Sequence, residues 1–157
     1  MSKIYKPSLD ALNAVFHTRT QLSEDMYSSN SADLAEVYER VTWGRRHVEL
    51  RNKEDKVIFE QNVEEAPINW SDRAMRIVAE KYFRVVNGTK ESSVWRTILR
   101  ITTAVTNGGL RHGYFVSLEE AEWFRAKLTG MMLNQEFCFN SPVLFNIGVP
   151  GVPQQAA

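Results

Sequence analysis

A serine that stands directly before a proline, near the C-terminal end of the sequence, is the first candidate for chemistry. Ser141 lies between Asn140 and Pro142, and a proline biases the preceding residue away from the helical region. Such a turn presents a backbone N–H and a hydroxyl that can donate to a phosphate or ribose oxygen. The hydroxyl can equally satisfy its own backbone within the turn. These residues therefore leave two interpretations open, a nucleotide contact and a purely local turn.

The chain has one cysteine, Cys138, which invites a redox role. It stands between Phe137 and Phe139. A thiol flanked by aromatic residues is usually a small buried hydrophobe with a raised pKa and little reactivity. A single cysteine also excludes a disulfide, or a cysteine-based metal cluster, within this chain. We therefore predict that Cys138 is buried and not catalytic.

The histidines indicate no metal site. None of them has a second histidine or a carboxylate at ligand spacing on an evident helix face. None has a nucleophile partner that would form a hydrolase triad. The three are His17, His47 and His112. The residues by themselves thus predict neither a catalytic group nor a metal ligand.

Composition narrows the class of protein. The chain has 157 residues, of which 43% are hydrophobic and 24% charged, as is ordinary for one soluble globular domain. Lys and Arg total 19, as do Asp and Glu, so no net field favours binding to nucleic acid. No apolar run is long enough to span a membrane, and the N-terminus lacks a signal core. We expect a cytoplasmic protein with neither nucleic acid nor membrane as a partner.

Hydrophobic periodicity predicts the early elements. A short helix is expected over residues 10–16 and a polar, turn-prone stretch over residues 23–31. Residues 33–41 show helical spacing. Residues 46–50 and 56–60 alternate around a turn at residues 52–55, which predicts a β-hairpin.

Three more helices follow, each with a start or stop signal. Ser71 is expected to cap a helix that ends at Asn87-Gly88, and a second helix is expected from about residue 91 to residues 107–109. Ser117 and Glu120 form a capping box for a third helix that buries Met131 among others. Residues 137–139 and 143–145 are predicted to be extended. The four tryptophans are expected to anchor the core or an interface.

These elements predict a mainly α fold, a helical domain of four or five helices with one small β-hairpin. We expect three regions along the chain. Residues 1–40 are a poorly defined N-terminal segment, residues 41–136 hold the hairpin and the helices, and residues 137–157 are an extended end that leads into another structure.

Four blocks stand in order along the sequence: residues 57–64 with Pro67 and Trp70-Ser71, residues 77–84, residues 113–115 with the capping box and residues 121–124, and residues 140–148 with residues 153–155. They resemble the N-terminal region of adenosylcobalamin-dependent (class II) ribonucleotide reductases. Together they cover about residues 40–157, and the last block is the most specific. The family more often has tryptophan where this chain has Leu144 and a small residue where it has Cys138, and both differences leave the segment apolar.

The resemblance implies an N-terminal domain that leads into a ten-stranded α/β barrel. It implies that Ser141, with Asn140 and Pro142, binds the ribonucleotide substrate. It also implies that adenosylcobalamin serves the complete enzyme and is not bound by this chain alone. In the family a cysteine of the reducing pair follows the Pro-Gln-Gln motif, and here Ala156-Ala157 closes the sequence. The chain is therefore expected to be an inactive fragment whose partner is the remainder of the reductase chain or a split subunit.

An alternative from another functional class stays open. The same helical fold can act as a stand-alone, non-catalytic interaction or regulatory module. An exposed apolar end at residues 143–152 would favour this reading, because such a surface docks to partners.

Overall fold

The structure, a computed structural model, describes residues 32–154. The helix predicted at residues 10–16, the polar stretch at residues 23–31 and His17 lie outside this range, as do residues 155–157. Within it the chain forms five α-helices and two small antiparallel strand pairs. The mainly α class and the hairpin are confirmed, and a second, two-residue strand pair was not predicted.

The elements follow one another without a large sheet. They are α1 (Ala32–Glu39), β1 (Trp43–Arg51), β2 (Val57–Pro67), α2 (Asp72–Ile77) with a π-helical turn (Val78–Tyr82), β3 (Val85–Val86), β4 (Thr89–Lys90), α3 (Val94–His112), α4 (Leu118–Leu133) and α5 (Ser141–Asn146). Helix α4 packs against both α1 and α3, and the hairpin of β1 and β2 packs on α2 and α3.

The β1–β2 hairpin is closed by Asn52. Its side-chain oxygen accepts the N–H groups of Glu54 at 3.1 Å and Lys56 at 2.9 Å, a local bond pattern typical of turns. The strands are longer than predicted, because they continue to a pairing of Trp43 with Pro67. The longer strands carry Val48 and Val63 of the same sheet face into the core.

Helix α2 begins as predicted, since Ser71 Oγ accepts the N–H of Ala74 at 3.2 Å. The predicted end at Asn87-Gly88 is wrong, because the helical segment stops at Tyr82. Asn87 and Gly88 have φ values of 49° and 79° and join β3 to β4. Asn-Gly is the preferred pair for a two-residue hairpin turn, which needs positive φ at both positions.

Helix α3 starts at Val94, where Ser93 Oγ accepts the N–H of Arg96 at 3.0 Å. The predicted stop at residues 107–109 is wrong, because the helix runs through both glycines to His112 and ends at Gly113, with φ of 72°. Gly109 is buried, and a Cβ there would lie 2.5 Å from the ring of Phe115. This glycine therefore permits close packing of the following loop and does not end the helix.

Helix α4 has the predicted capping box. Ser117 Oγ accepts the N–H of Glu120 at 3.1 Å, and the Glu120 carboxylate accepts the N–H of Val116 at 2.7 Å. Met131, predicted to be buried, is 41% exposed. The buried face of the helix instead includes Thr129, whose hydroxyl lies 3.0 Å from that of Thr102 on α3.

The tryptophans divide between core and surface. Trp70 is buried, and its Nε1–H donates to the carbonyl of Leu133 at 2.8 Å. Trp43 and Trp95 pack edge to face with ring centroids 6.0 Å apart. Trp123 is 54% exposed and does not contribute to this core.

The prediction of an extended stretch at residues 143–145 is wrong, because these residues form the middle of α5. A proline in the first turn of a helix removes only an N–H that has no intrahelical partner, so Pro142 can start a helix. Ser141, expected to avoid the helical region, is the first residue of α5. Leu144 is buried in the core and attaches the helix to the rest of the domain.

Candidate functional site

The three predicted site residues lie together where α5 begins. Asn140 and Ser141 are exposed, and Pro142 is half-buried. The carbonyl of Asn140 accepts the N–H groups of Val143 at 3.1 Å and Leu144 at 3.2 Å, whereas its side chain makes no capping bond. We call residues 140–142 the corner. The corner is a surface feature with accessible polar groups.

The hydroxyl of Ser141 has a partner from a distant part of the chain. Ser141 Oγ lies 2.8 Å from the phenolic oxygen of Tyr82, at the end of the π-helical turn. The ring of Tyr82 also packs near that of Phe145, with centroids 5.9 Å apart. The structure therefore favours a hydroxyl oriented by tertiary contact over one that serves only its own turn.

The other end of α5 is held by two arginines. Arg84 Nε donates to the carbonyl of Phe145, and Arg100 Nη1 donates to that of Ile147. The guanidinium of Arg84 also lies 5.1 Å from the centroid of the Phe145 ring. Carbonyls at a helix C-terminus lack intrahelical donors and carry partial negative charge, so cationic donors stabilise this end.

Arg100 belongs to a buried ion pair with Glu91. Their side chains are 4% and 8% exposed, and the Arg100 Nε lies 2.9 Å from a Glu91 oxygen. A second bond joins Arg100 Nη2 to the other oxygen at 3.1 Å, and that oxygen also accepts the Arg84 N–H at 2.9 Å. Arg100 Nη2 further donates to the Tyr82 carbonyl at 3.3 Å. The forked geometry and added bonds are what a buried pair needs to offset desolvation.

Sequence reasoning missed this network. Arg100 lies three residues after Thr97 and three before Thr103, and all of them are buried on α3. A mixed polar stripe of this kind does not register as hydrophobic periodicity. Glu91 and Arg84 come from loops, where the sequence carries no pairing signal.

Cys138 next to the corner is exposed, so the prediction of a buried thiol is wrong. The predicted direction of its pKa is confirmed, because partial burial raises the pKa of the Cys138 thiol. Its Sγ–H donates to the carbonyl of Phe139 at 3.3 Å. Phe137 and Phe139 pack edge to face on each other, with centroids 4.9 Å apart, and leave the thiol at the surface.

The hairpin brings together one group that the sequence reasoning did not consider. His47, Glu49 and Glu60 offer ligand atoms within 4.8 Å of one another across β1 and β2. The histidine Nδ1 lies 2.8 Å from Asn62 Oδ1, and Glu49 is bonded to Arg51, which lowers the pKa of Glu49. These partners compete with a metal, and we assign no metal site here.

A cleft with a volume of about 730 Å³ lies between the hairpins and α3. Its walls carry both signs of charge, including Glu64, Lys90 and Arg96, with the Glu91–Arg100 pair among the lining residues. Among the described helices, none combines the length and the apolar character needed to cross a bilayer.

Comparison with known proteins identifies the family. Residues 44–135 match the family described as class II vitamin B12-dependent ribonucleotide reductase. A relative from Streptomyces clavuligerus, named vitamin B12-dependent ribonucleotide reductase, is 42% identical over 123 residues, covering 76% of this chain and 13% of the relative. A protein of the same name from Rhodopirellula baltica is 36% identical over 110 residues, covering 68% of this chain and 11% of the relative.

The chain thus spans only 13% of the length of its first relatives. The matched range of residues 44–135 includes the first hairpin except Trp43, the second hairpin, α3 and the buried ion pair, while the corner lies beyond it. On the extent of this match, the chain belongs to the class II vitamin B12-dependent ribonucleotide reductase family.

Proposed function

We propose that this chain is the N-terminal portion of a cobalamin-dependent ribonucleotide reductase, an oxidoreductase that converts ribonucleotides to deoxyribonucleotides for DNA synthesis. Family membership and the much greater length of the relatives support this proposal. The partner is the remainder of the reductase chain or a split subunit, and residues 137–157 lead towards its catalytic barrel. We place the protein in the cytoplasm, without a nucleic-acid partner.

The observation that carries the proposal is the construction of the corner. Its polar groups are exposed, while the helix behind it is fixed at one end by Tyr82 and at the other by two arginines. A binding group held by packing and by hydrogen bonds loses little freedom when a ligand arrives. The corner is therefore suited to line one side of a nucleotide site. Ser141 would donate a hydrogen bond to the nucleotide, and Asn140 and Pro142 would shape the surface that the nucleotide contacts.

We propose that this chain alone does not hold cobalamin. The cleft between the hairpins and α3, of about 730 Å³, is in the range of sites for drug-sized ligands, and an adenosylated corrinoid is several times heavier than such ligands. We propose that the catalytic portion of the reductase holds the cofactor, which supplies the radical chemistry when bound.

The isolated chain is proposed to be inactive. Its single cysteine is Cys138, so it cannot supply a pair of thiols to reduce a ribose. The assay is ribonucleotide reduction by pure chain with adenosylcobalamin and a dithiol, for which we expect no product. Turnover by pure material would overturn this proposal.

The site is tested in the complete reductase by comparing Ser141→Ala with Cys138→Ala. A hydrogen bond to a charged group contributes about 1.5–3 kcal/mol, so Ser141→Ala should weaken binding of a ribonucleoside diphosphate roughly 10- to 100-fold. Cys138→Ala is the neighbouring control and should change binding little. The opposite ranking in a binding titration would refute the assignment of the corner.

The stand-alone module has less support. It relied on an exposed apolar end at residues 143–152, but Leu144 and Val149 are buried against this domain. Only Val152, at 43% exposed, remains a large exposed hydrophobe in that stretch. The end that was expected to dock to a partner is thus largely used by the domain itself.

A further inference from the structure

The π-helical turn ahead of β3 is an unusual local feature. In Val78–Tyr82 the N–H of Phe83 bonds the carbonyl of Val78 at 3.0 Å, which is the long i to i+5 pattern. Single π turns are rare and occur frequently at functional sites, since the extra residue re-aims the side chains that follow. Here the turn ends at Tyr82, while Ala79 within the turn and Phe83 directly after it lie in the core.

The turn places Tyr82 against the proposed substrate residue. The Tyr82 hydroxyl lies 2.8 Å from Ser141 Oγ, and the two residues are 59 positions apart. The tyrosine ring also packs near the ring of Phe145, which lies on α5 with Ser141, at an angle of 34° between the two rings. The backbone of Tyr82 is fixed as well, because its carbonyl accepts a bond from the buried Arg100 at 3.3 Å. Ring, hydroxyl and backbone are thus all constrained.

We infer that Tyr82 is a positioning residue, whose hydroxyl donates to Ser141 Oγ and so directs the Ser141 O–H at a phosphate oxygen of a bound ribonucleotide. The inference rests on the proposed function of the corner. A phenol is the stronger acid of the two hydroxyls and therefore the better donor between them. With its oxygen accepting from Tyr82, Ser141 keeps its own proton for a ligand. A chain of two such bonds is also mutually strengthening.

Removing the tyrosine hydroxyl should release the serine. A serine in the first turn of a helix can rotate to bond nearby backbone groups, which is the competing local use of its hydroxyl. Tyr82→Phe keeps the ring packed on Phe145 and deletes only the phenolic oxygen. The expected defect is therefore in ligand binding rather than in the fold.

The experiment uses the complete reductase, with cytidine 5′-diphosphate as the probe. We expect Tyr82→Phe to raise the dissociation constant and KM roughly three- to tenfold, the range of a single neutral hydrogen bond, with kcat at saturation little changed. The matched control is Tyr38→Phe. It deletes a hydroxyl that bonds Glu65 at 2.6 Å rather than Ser141, and should leave KM unchanged.

A double-mutant cycle separates the inference from the proposed function. In the Ser141→Ala background, adding Tyr82→Phe should have no further effect on binding, because the two hydroxyls act as one unit. If Ser141→Ala itself leaves binding unchanged, the proposed function of the corner falls and this inference falls with it. Two results would overturn the inference while the proposed function stands. In the first, Ser141→Ala weakens binding and Tyr82→Phe does not. In the second, Ser141→Ala weakens binding and Tyr82→Phe weakens it equally with and without Ser141.

Discussion

Replacing Arg100 with methionine should be among the most damaging single changes in this domain. Methionine keeps most of the aliphatic volume and removes the guanidinium. Glu91 would then be left 8% exposed, with the Arg84 N–H as its remaining bond among those described above. The carbonyls of Ile147 and Tyr82 would lose their arginine donor at the same time.

The magnitude follows from the uncompensated charge. Removing one partner of a buried ion pair typically costs about 3–5 kcal/mol, because the other charge stays desolvated. That is a large share of the roughly 5–15 kcal/mol that stabilises an ordinary domain. With a urea slope of about 1–3 kcal/mol per molar, the denaturation midpoint should fall by at least about 1 M, or the variant should be unfolded in buffer.

The assay is urea denaturation followed by tryptophan fluorescence. The double variant Glu91→Gln with Arg100→Met should recover part of the loss, since it removes the orphaned charge and keeps an acceptor for Arg84. The control is Arg45→Met, which breaks a pair with Glu64 whose side chains are 85% and 55% exposed, and should hardly move the midpoint. An Arg100→Met midpoint equal to that of Arg45→Met would refute the reasoning.

Two further predictions concern single positions near the corner. Gly148→Ala should destabilise the chain more than Gly151→Ala in the same denaturation assay. Both glycines have φ near 70°, a conformation that costs alanine about 1–2 kcal/mol. Only at Gly148 would the new Cβ also lie 2.7 Å from a backbone oxygen, that of Arg100. Equal losses would contradict the packing argument. At pH 8, Cys138 should react with iodoacetamide more slowly than a cysteine in an unstructured peptide, because its raised pKa lowers the thiolate fraction, and the rate should keep rising with pH beyond the usual thiol range. A rate equal to that of the peptide would contradict this.

Local signals predicted the starts of elements better than their ends. Ser71 and Ser117 each cap a helix where the sequence places one, because a cap is a bond between near neighbours. Gly109 and Gly88 each follow a polar or small residue in the sequence, but their structural roles differ. Gly109 allows the ring of Phe115 to approach α3, and Gly88 forms part of the turn between β3 and β4. Only the tertiary surroundings distinguish these uses.

The candidate site shows the same division. The residues of the corner, 140–142, were singled out by their types, their order and the family resemblance, and in the structure Asn140 and Ser141 are exposed beside the half-buried Pro142. The nucleotide contact assigned to them stays a prediction. What holds the corner in place was not predictable, since Tyr82 and Arg100 approach α5 from 59 and 47 residues away. Neither residue carries a sequence signal for its partner, so the support of the site emerges only from the packing.

The order of these contacts along the chain also bears on how the corner forms during translation. The three side chains described above that hold α5, those of Tyr82, Arg84 and Arg100, all precede it in the sequence. Protein synthesis runs from the N-terminus, and N-terminal units generally fold first. The residues that contact α5 therefore leave the ribosome before the helix itself. Ser141 can then pack against Tyr82 as soon as its own segment emerges.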